Sequence, residues 1–359
     1  MTGDNRSVAE SAREYPRSLP LNQWPVADRR TWEDACRPGS RLKPGGAASH
    51  LAQVTRETIV WRYGVFLGFL QQYGRLDCDA AAASLVTPSN VEAYITGLKA
   101  RVRSVTVHGY ICGLRRAGEL LAPIGDLSWL ADIEKDLKLV TEPRSKFDRL
   151  VLTTRLVEAG LTLVAEAQEF AKTEFARARG VRNGLIIALL AFCPIRLKNF
   201  ASLEIGYTFK EACGTWWIAL PGVATKSGRP DERRVPELLN PSIDVYLNQS
   251  RPVLLREKST TDALWISAKT SGPVNAIYLS SLISQVTLQA VGVAVSPHLF
   301  RTAAASTAAA YGGNTPHLAS ALLNHTDPRV TEEHYNRASS MSASKVYATI
   351  TDSFLRDRT

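Results

Sequence analysis

The sequence predicts a mainly α-helical, two-domain protein with a small antiparallel β-sheet in its second domain, an α+β arrangement. Three observations carry that expectation. Apolar residues recur at helical spacing along most of residues 47–141. A charged, proline-bearing break (Glu142, Pro143, Arg144, Ser145, Lys146) follows the last of those helices. Beyond it, residues 207–235 switch to aromatic and β-branched runs between Gly- and Pro-bearing turns, the pattern of a hairpin sheet. A chain of 359 residues suits two domains, and 45% hydrophobic residues supply a core for each, which excludes wholesale disorder.

Taken in order, residues 1–46 are rich in Arg, Pro, Ser and Gly and lack periodicity, so they read as an irregular N-terminal arm ending at Pro44-Gly45-Gly46. Residues 47–141 read as a helical domain. Val54, Ile59, Val60, Tyr63, Phe66, Leu67 and Leu70 mark one long amphipathic helix. Thr87-Pro88-Ser89-Asn90 is a helix-start signal, with Val91, Tyr94, Ile95 and Leu98 on one face. Ser104 opens a third helix that buries Val107, Ile111, Leu114, Leu120 and Leu121, and Trp129, Ile133 and Leu137 define a fourth. Residues 142–148 read as a linker, and 149–359 as the second domain. There, helices are expected over 152–171, 174–192, 243–247, 277–290, 303–311 and 316–323. A final amphipathic segment is expected at 344–355.

Composition narrows the function classes. No apolar run is long enough to span a bilayer and the N-terminus has no apolar signal core, so the chain reads as soluble and cytoplasmic. Five widely spaced cysteines with no C-x-x-C fit reduced thiols rather than a disulfide framework or a zinc knuckle. The net charge of +9 fits a polyanionic partner without requiring one. Four of the six histidines (His298, His317, His325, His334) fall near the C-terminal end, but none makes a metal-ligand pair with a convincing third ligand. No metal or cofactor is expected.

The company those histidines keep is more telling. His298-Leu299-Phe300-Arg301 sets an imidazole and a guanidinium three residues apart after Pro297, on a helix's first turn, where the dipole favours an anion. Asn324-His325-Thr326 follows, and Tyr335 stands ten residues after His325. Upstream, Arg196 closes an apolar helix and Lys226 sits at the tip of the expected hairpin.

This ordered set, Arg…Lys…His-x-x-Arg…His…Tyr, resembles the tyrosine recombinase (phage integrase) family. Its motifs span roughly the C-terminal three-fifths of the chain, and residues 47–141 match the family's helical core-binding domain loosely. The resemblance implies a two-domain clamp on duplex DNA, with 149–359 as the catalytic domain. It implies site-specific, metal-independent cleavage and rejoining through a 3′-phosphotyrosyl link on Tyr335, a homotetramer on paired DNA sites, and accessory proteins. Chemistry agrees: charge gathering on a pentacoordinate phosphate must be met by fixed cations and donors. Arginine suits that task because its fork grips two oxygens and stays charged. Arg196 and Arg301 are the candidates. His298 would accept the Tyr335 proton, His325 would donate to the phosphate, and Lys226 would protonate the 5′-oxygen leaving group.

Each residue has a plainer reading. Tyr335 can pack on a C-terminal helix, and Lys226 can be merely solvated, with Lys210 or Arg229 as substitutes. His317 and His334 read as exposed or capping. Arg101, Arg103, Arg115 and Arg116 either touch DNA phosphates or form a solvated helix face. Val346, Tyr347, Ile350, Phe354 and Leu355 form a stripe for a neighbouring subunit or for the chain's own domain. One departure stands out: Asn199 occupies the position, three residues after the first arginine, where the family usually carries an acid. The same residues suit a type IB topoisomerase-like nicking-closing enzyme, and the fold without the chemistry suits a DNA-binding regulator.

Overall fold

The computed structural model describes residues 17–143, 149–256, 260–311 and 318–324. The chain divides into two compact units, Met1–Ser145 and Lys146–Thr359. His317, His325, His334, Tyr335 and the 344–355 segment lie outside the described residues.

The first unit is helical: α1 (Val26–Cys36), α2 (Gln53–Gln72), α3 (Pro88–Lys99), α4 (Ser104–Leu121) and α5 (Ser128–Leu139). The expected start signal at Thr87 operates as read, since its side chain accepts a hydrogen bond from the Asn90 N–H and Pro88 occupies the first turn. The core is built on aromatic contacts at edge-on angles, among them Trp24 with Tyr63 at 4.8 Å and Phe66 with Tyr94 at 5.3 Å.

The described part of the N-terminal arm is not irregular, which corrects the expectation for residues 1–46. It contains α1, and Trp24 and Trp32 are buried in the core of the first unit. The helix escapes periodicity because it buries only Asp28, Trp32 and Ala35, and one of these three is charged. Asp28 accepts the Tyr63 hydroxyl and the Ala83 N–H, each at 2.7 Å. Burial nonetheless pushes its carboxyl above the usual range, against the pull of those two donors. The segment before α1 can lie along α2 because Gly64 and Gly68 face it. A Cβ at either position would collide with the carbonyl of Leu19 or Arg17, and the Leu19 N–H donates to the Gly64 carbonyl at 2.9 Å.

The second unit is organised around α7 (Glu174–Phe192), which packs against α6 (Thr153–Phe170). Val181, Leu185, Ile186, Ile187, Leu189 and Leu190 lie all round α7 and all are buried, as an apolar central helix requires. The short α8 (Leu197–Ala201) leads into β1 (Phe209–Ala212), β2 (Thr215–Leu220) and β3 (Asp231–Arg234). These form the expected antiparallel sheet in the order β1-β2-β3, with Phe209 opposite Ile218 and Leu220 opposite Asp231. Positive φ at Cys213 and Gly214 matches the two-residue hairpin turn between β1 and β2.

The chain continues through α9 (Asn240–Val245), a π turn, α10 (Arg251–Leu255), α11 (Ala276–Val291), α12 (Pro297–Tyr311) and α13 (Leu318–Leu323). Buried polar groups are tied to backbone: the Trp265 indole donates to Phe200 O at 2.9 Å and the Tyr246 hydroxyl to Leu264 O at 2.6 Å. No described helix is long and apolar enough to cross a membrane.

Candidate active site

Arg301 is the hub of the site. It lies in the second turn of α12, whose Leu299, Phe300, Ala303 and Ala304 are buried and hold the helix in the core. Arg301 is 8% exposed, and its fork reaches two chain segments far apart in sequence. Nη1 donates to Pro194 O at 2.5 Å and Nη2 to Leu323 O at 2.7 Å. Pro194 is two residues before Arg196, and Leu323 two residues before His325 in sequence. A single buried guanidinium thus ties together the backbone at Pro194 and Leu323, each two residues before a sequence-predicted position.

Arg196 stands at the N-terminal boundary of α8, half-buried and extended, after the Cys193-Pro194-Ile195 break that ends α7. Its charge acts on Arg301. Burial first, then the repulsion of Arg196 and of Arg233, brings the Arg301 guanidinium down to about 10, against the partial relief of Asp231. Arg301 still carries its charge at neutral pH, in surroundings that disfavour it. Such a group gains from any anion brought to it.

The β2–β3 connection carries Lys226, as expected. Lys226 is exposed, and Gly228 at φ 70° turns the chain back towards β3. The neighbouring Ser227 hydroxyl lies 3.3 Å from Asn324 Oδ1, so the lysine turn meets the end of α13. His298, in the first turn of α12, is exposed while Arg301 points inward. Among the substitutes considered for Lys226, Lys210 is exposed on β1 and Arg229 is exposed in the same connection. The structure therefore brings together Arg196, Arg301, the Lys226 turn and the chain leading to His325. His325 and Tyr335 themselves lie outside the described residues.

Two participants were not legible in the motif reading. Asp231 and Arg233 form a fork-to-fork ion pair on β3, with Nε to Oδ1 and Nη2 to Oδ2 both at 2.9 Å. Both act on the charge of Arg301. The signal was available, because Asp-x-Arg places two opposite charges on one face of a strand.

Asn199, in place of an acid, is 7% exposed on α8. Arg115, one of the DNA-contact candidates, bonds Glu134 at 2.5 Å and Glu119 on its own helix. Arg103 and Arg116 remain exposed on the first unit. Among the described residues no group of His, Cys, Asp and Glu is arranged to hold a metal ion.

No protein-family model matches the chain, and no curated protein sequence does. Solved structures match in fold. A XerH site-specific recombinase bound to its difH substrate in a pre-cleavage complex is similar with a TM-score of 0.54 and 13% identity, over 95% of this chain and 89% of that one. The integrase of transposon Tn1549, in complex with transposon right-end DNA, is similar with a TM-score of 0.50 and 12% identity, over 84% of this chain and 97% of that one. The chain has the fold of these recombinase and integrase structures, the fold that the Arg…Lys…His-x-x-Arg…His…Tyr order led one to expect.

Proposed function

We propose that the chain is a site-specific DNA recombinase or integrase that cuts and rejoins strands through a phosphotyrosyl intermediate. The observation that carries this reading is the buried, charge-strained Arg301. It is set beside Arg196 and bonded to the backbone on either side of the site. A cation cluster in that state stabilises an anion better than water does, because its dipoles and charges are already oriented. The likeness in fold to a recombinase and an integrase solved on DNA supports duplex DNA as the anion's source.

In this reading the Tyr335 oxygen attacks the scissile phosphorus and passes its proton to His298. The O–P bond forms as the bond from phosphorus to the 5′-oxygen breaks, and Lys226 gives that oxygen its proton. Arg196, Arg301 and His325 hold the phosphate oxygens as charge builds. Reversal with a 5′-hydroxyl from another strand releases Tyr335 and completes the exchange. Residues 47–141 would grip the duplex while 149–359 carry out the chemistry. Exchange between two sites calls for a homotetramer, with accessory proteins where the sites demand them.

The test uses a pool of nicked duplexes with a randomised core, incubated with the full-length protein in EDTA and then denatured. The expected result is a covalent protein–DNA adduct that Tyr335→Phe abolishes. No adduct from the wild type, or as much from Tyr335→Phe, overturns the reading. Joining of strands from two duplexes identifies a recombinase, and relaxation of a supercoiled plasmid alone identifies a nicking-closing enzyme.

A further inference from the structure

The face that Asp231 and Arg233 occupy is unusual for charges. In the β2–β3 register Asp231 pairs with Leu220 and Arg233 with Ile218. Paired residues of an antiparallel ladder share a face, and Leu220 and Ile218 are both buried. The ion pair therefore points to the core side of the sheet, with its side chains only 14% and 9% exposed. Glu232 and Arg234, on the other face of the same strand, are exposed. Turning two charges inward costs desolvation, which the mutual fork repays only in part.

The pair also lies beside the phosphate-binding candidates. The Cys193 sulfur approaches the Arg234 carbonyl at 4.0 Å, which sets β3 against the segment that runs into Arg196. Among the described residues, the charges of Arg196 and Arg233 thus oppose that of Arg301, and Asp231, forked to Arg233, relieves it. The helix that carries Arg196 brings no acid of its own to the cluster, since its buried polar residue is the uncharged Asn199.

We propose that Asp231, clamped by Arg233, is the positioning residue of the site. It supplies the carboxylate that lets Arg196 and Arg301 stand together before DNA arrives, a charge that Asn199 cannot provide. Without that carboxylate, the arginines repel and splay.

This inference rests on the reading of Arg196 and Arg301 as phosphate ligands, so its test has two arms. The first needs no DNA. In full-length protein carrying ¹⁵N-labelled arginine, the Nε signal and alkaline titration midpoint of Arg301 are compared between wild type, Asp231→Asn, Asp231→Glu and Asp231→Asn/Asn199→Asp. The expected result is a lower midpoint and a displaced signal in Asp231→Asn. The longer acid of Asp231→Glu and the relocated acid of the double variant should restore most of the change. An Arg301 signal and midpoint that ignore Asp231→Asn overturn the proposal, as does a double variant that behaves like Asp231→Asn.

The second arm measures the rate of adduct formation on the nicked duplex pool. Removing a partner that orients a reacting group costs about 10- to 100-fold where metal ligands are concerned, and a loss of that size, recovered by Asn199→Asp, is expected here. An Asp231→Asn rate within about twofold of wild type sinks the positioning role. A moved Arg301 titration with no wild-type adduct overturns the recombinase reading while the charge brace stands. Inward charges also guard sheet edges against pairing. If that is their whole role, Asp231→Asn aggregates while the soluble fraction keeps its rate, and the proposal falls.

Discussion

Arginine meets carboxylate in both units, with opposite balance. In the first, Arg115 answers to two acids, Glu134 and Glu119, with His108 and Cys112 alongside. In the second, Asp231 is forked to Arg233 and eases the charge of Arg301, which Arg196 and Arg233 oppose. The titrations follow. The hydrogen bond to Glu134, outweighing burial, holds the Arg115 guanidinium above its ordinary value, whereas burial and neighbouring cations pull Arg301 down to about 10. A network that closes on itself holds helices together. A buried guanidinium held against like charges gains from an anion brought to it. That contrast, more than the total charge of +9, separates a structural arginine from one that awaits a ligand.

The comparison breaks most visibly at Arg301. Arg301→Ala removes a cation from the transition state and unties Pro194 and Leu323, so adduct formation should fall by about 10²- to 10³-fold, the usual loss for one such donor. An adduct rate near wild type would mean that the strained cluster has no part in the chemistry. Arg115→Ala should act on the other axis. It leaves Glu134 half-buried without its main partner, costing about 1–2 kcal/mol of stability in denaturant titration. Its adduct rate at saturating DNA should be unchanged, and a catalytic defect there would erase the distinction between the clusters.

Acid and alkali sharpen the same contrast. Burial raises the Glu134 carboxyl, but the hydrogen bond and charge of Arg115 outweigh it and leave it below the ordinary value of 4.5. A depressed acid stabilises the fold above its unfolded value and loses that contribution as pH falls through the folded one. Thermal melts below pH 4.5 should therefore flatten in Glu134→Gln relative to wild type. Arg301 is a depressed base, for which the fold binds the proton less well than the open chain does. Stability from this group should grow as pH rises above about 10, and Arg301→Ala should lose that rise. The smallest effect belongs to Lys135, whose pair with Asp132 on α5 is fully in solvent. Lys135→Ala should leave the melting temperature where it is.

Much of the fold was legible because local signals and burial coincide. The Thr87-Pro88 start, the apolar stripes of α2 and α4, and the apolar second half of α7 each write their packing into spacing. Helix α1 was missed because it buries only Trp32, Ala35 and an aspartate, and the partners that satisfy Asp28 lie at Tyr63 and Ala83. No window of local sequence contains them. Within the candidate site, Arg196, Lys226, His298 and Arg301 were singled out because their order resembles a family pattern and their chemistry suits a phosphate. Asp231 and Arg233 were not, because strand alternation shows which residues share a face but not which face meets the core.

The sequence by itself determined the helical stripes, the hairpin sheet and the ordered set of cations, since these depend on residue type and near neighbours. Only the tertiary structure decided which arginines are committed and which are available. That choice turns on contacts between residues far apart in the chain: Arg301 to Pro194 and Leu323, Ser227 to Asn324, and β3 to the loop before Arg196. A guanidinium has the same formula on a solvated helix and in a buried cluster. Its function follows from the desolvation and the counter-charges that folding assembles around it.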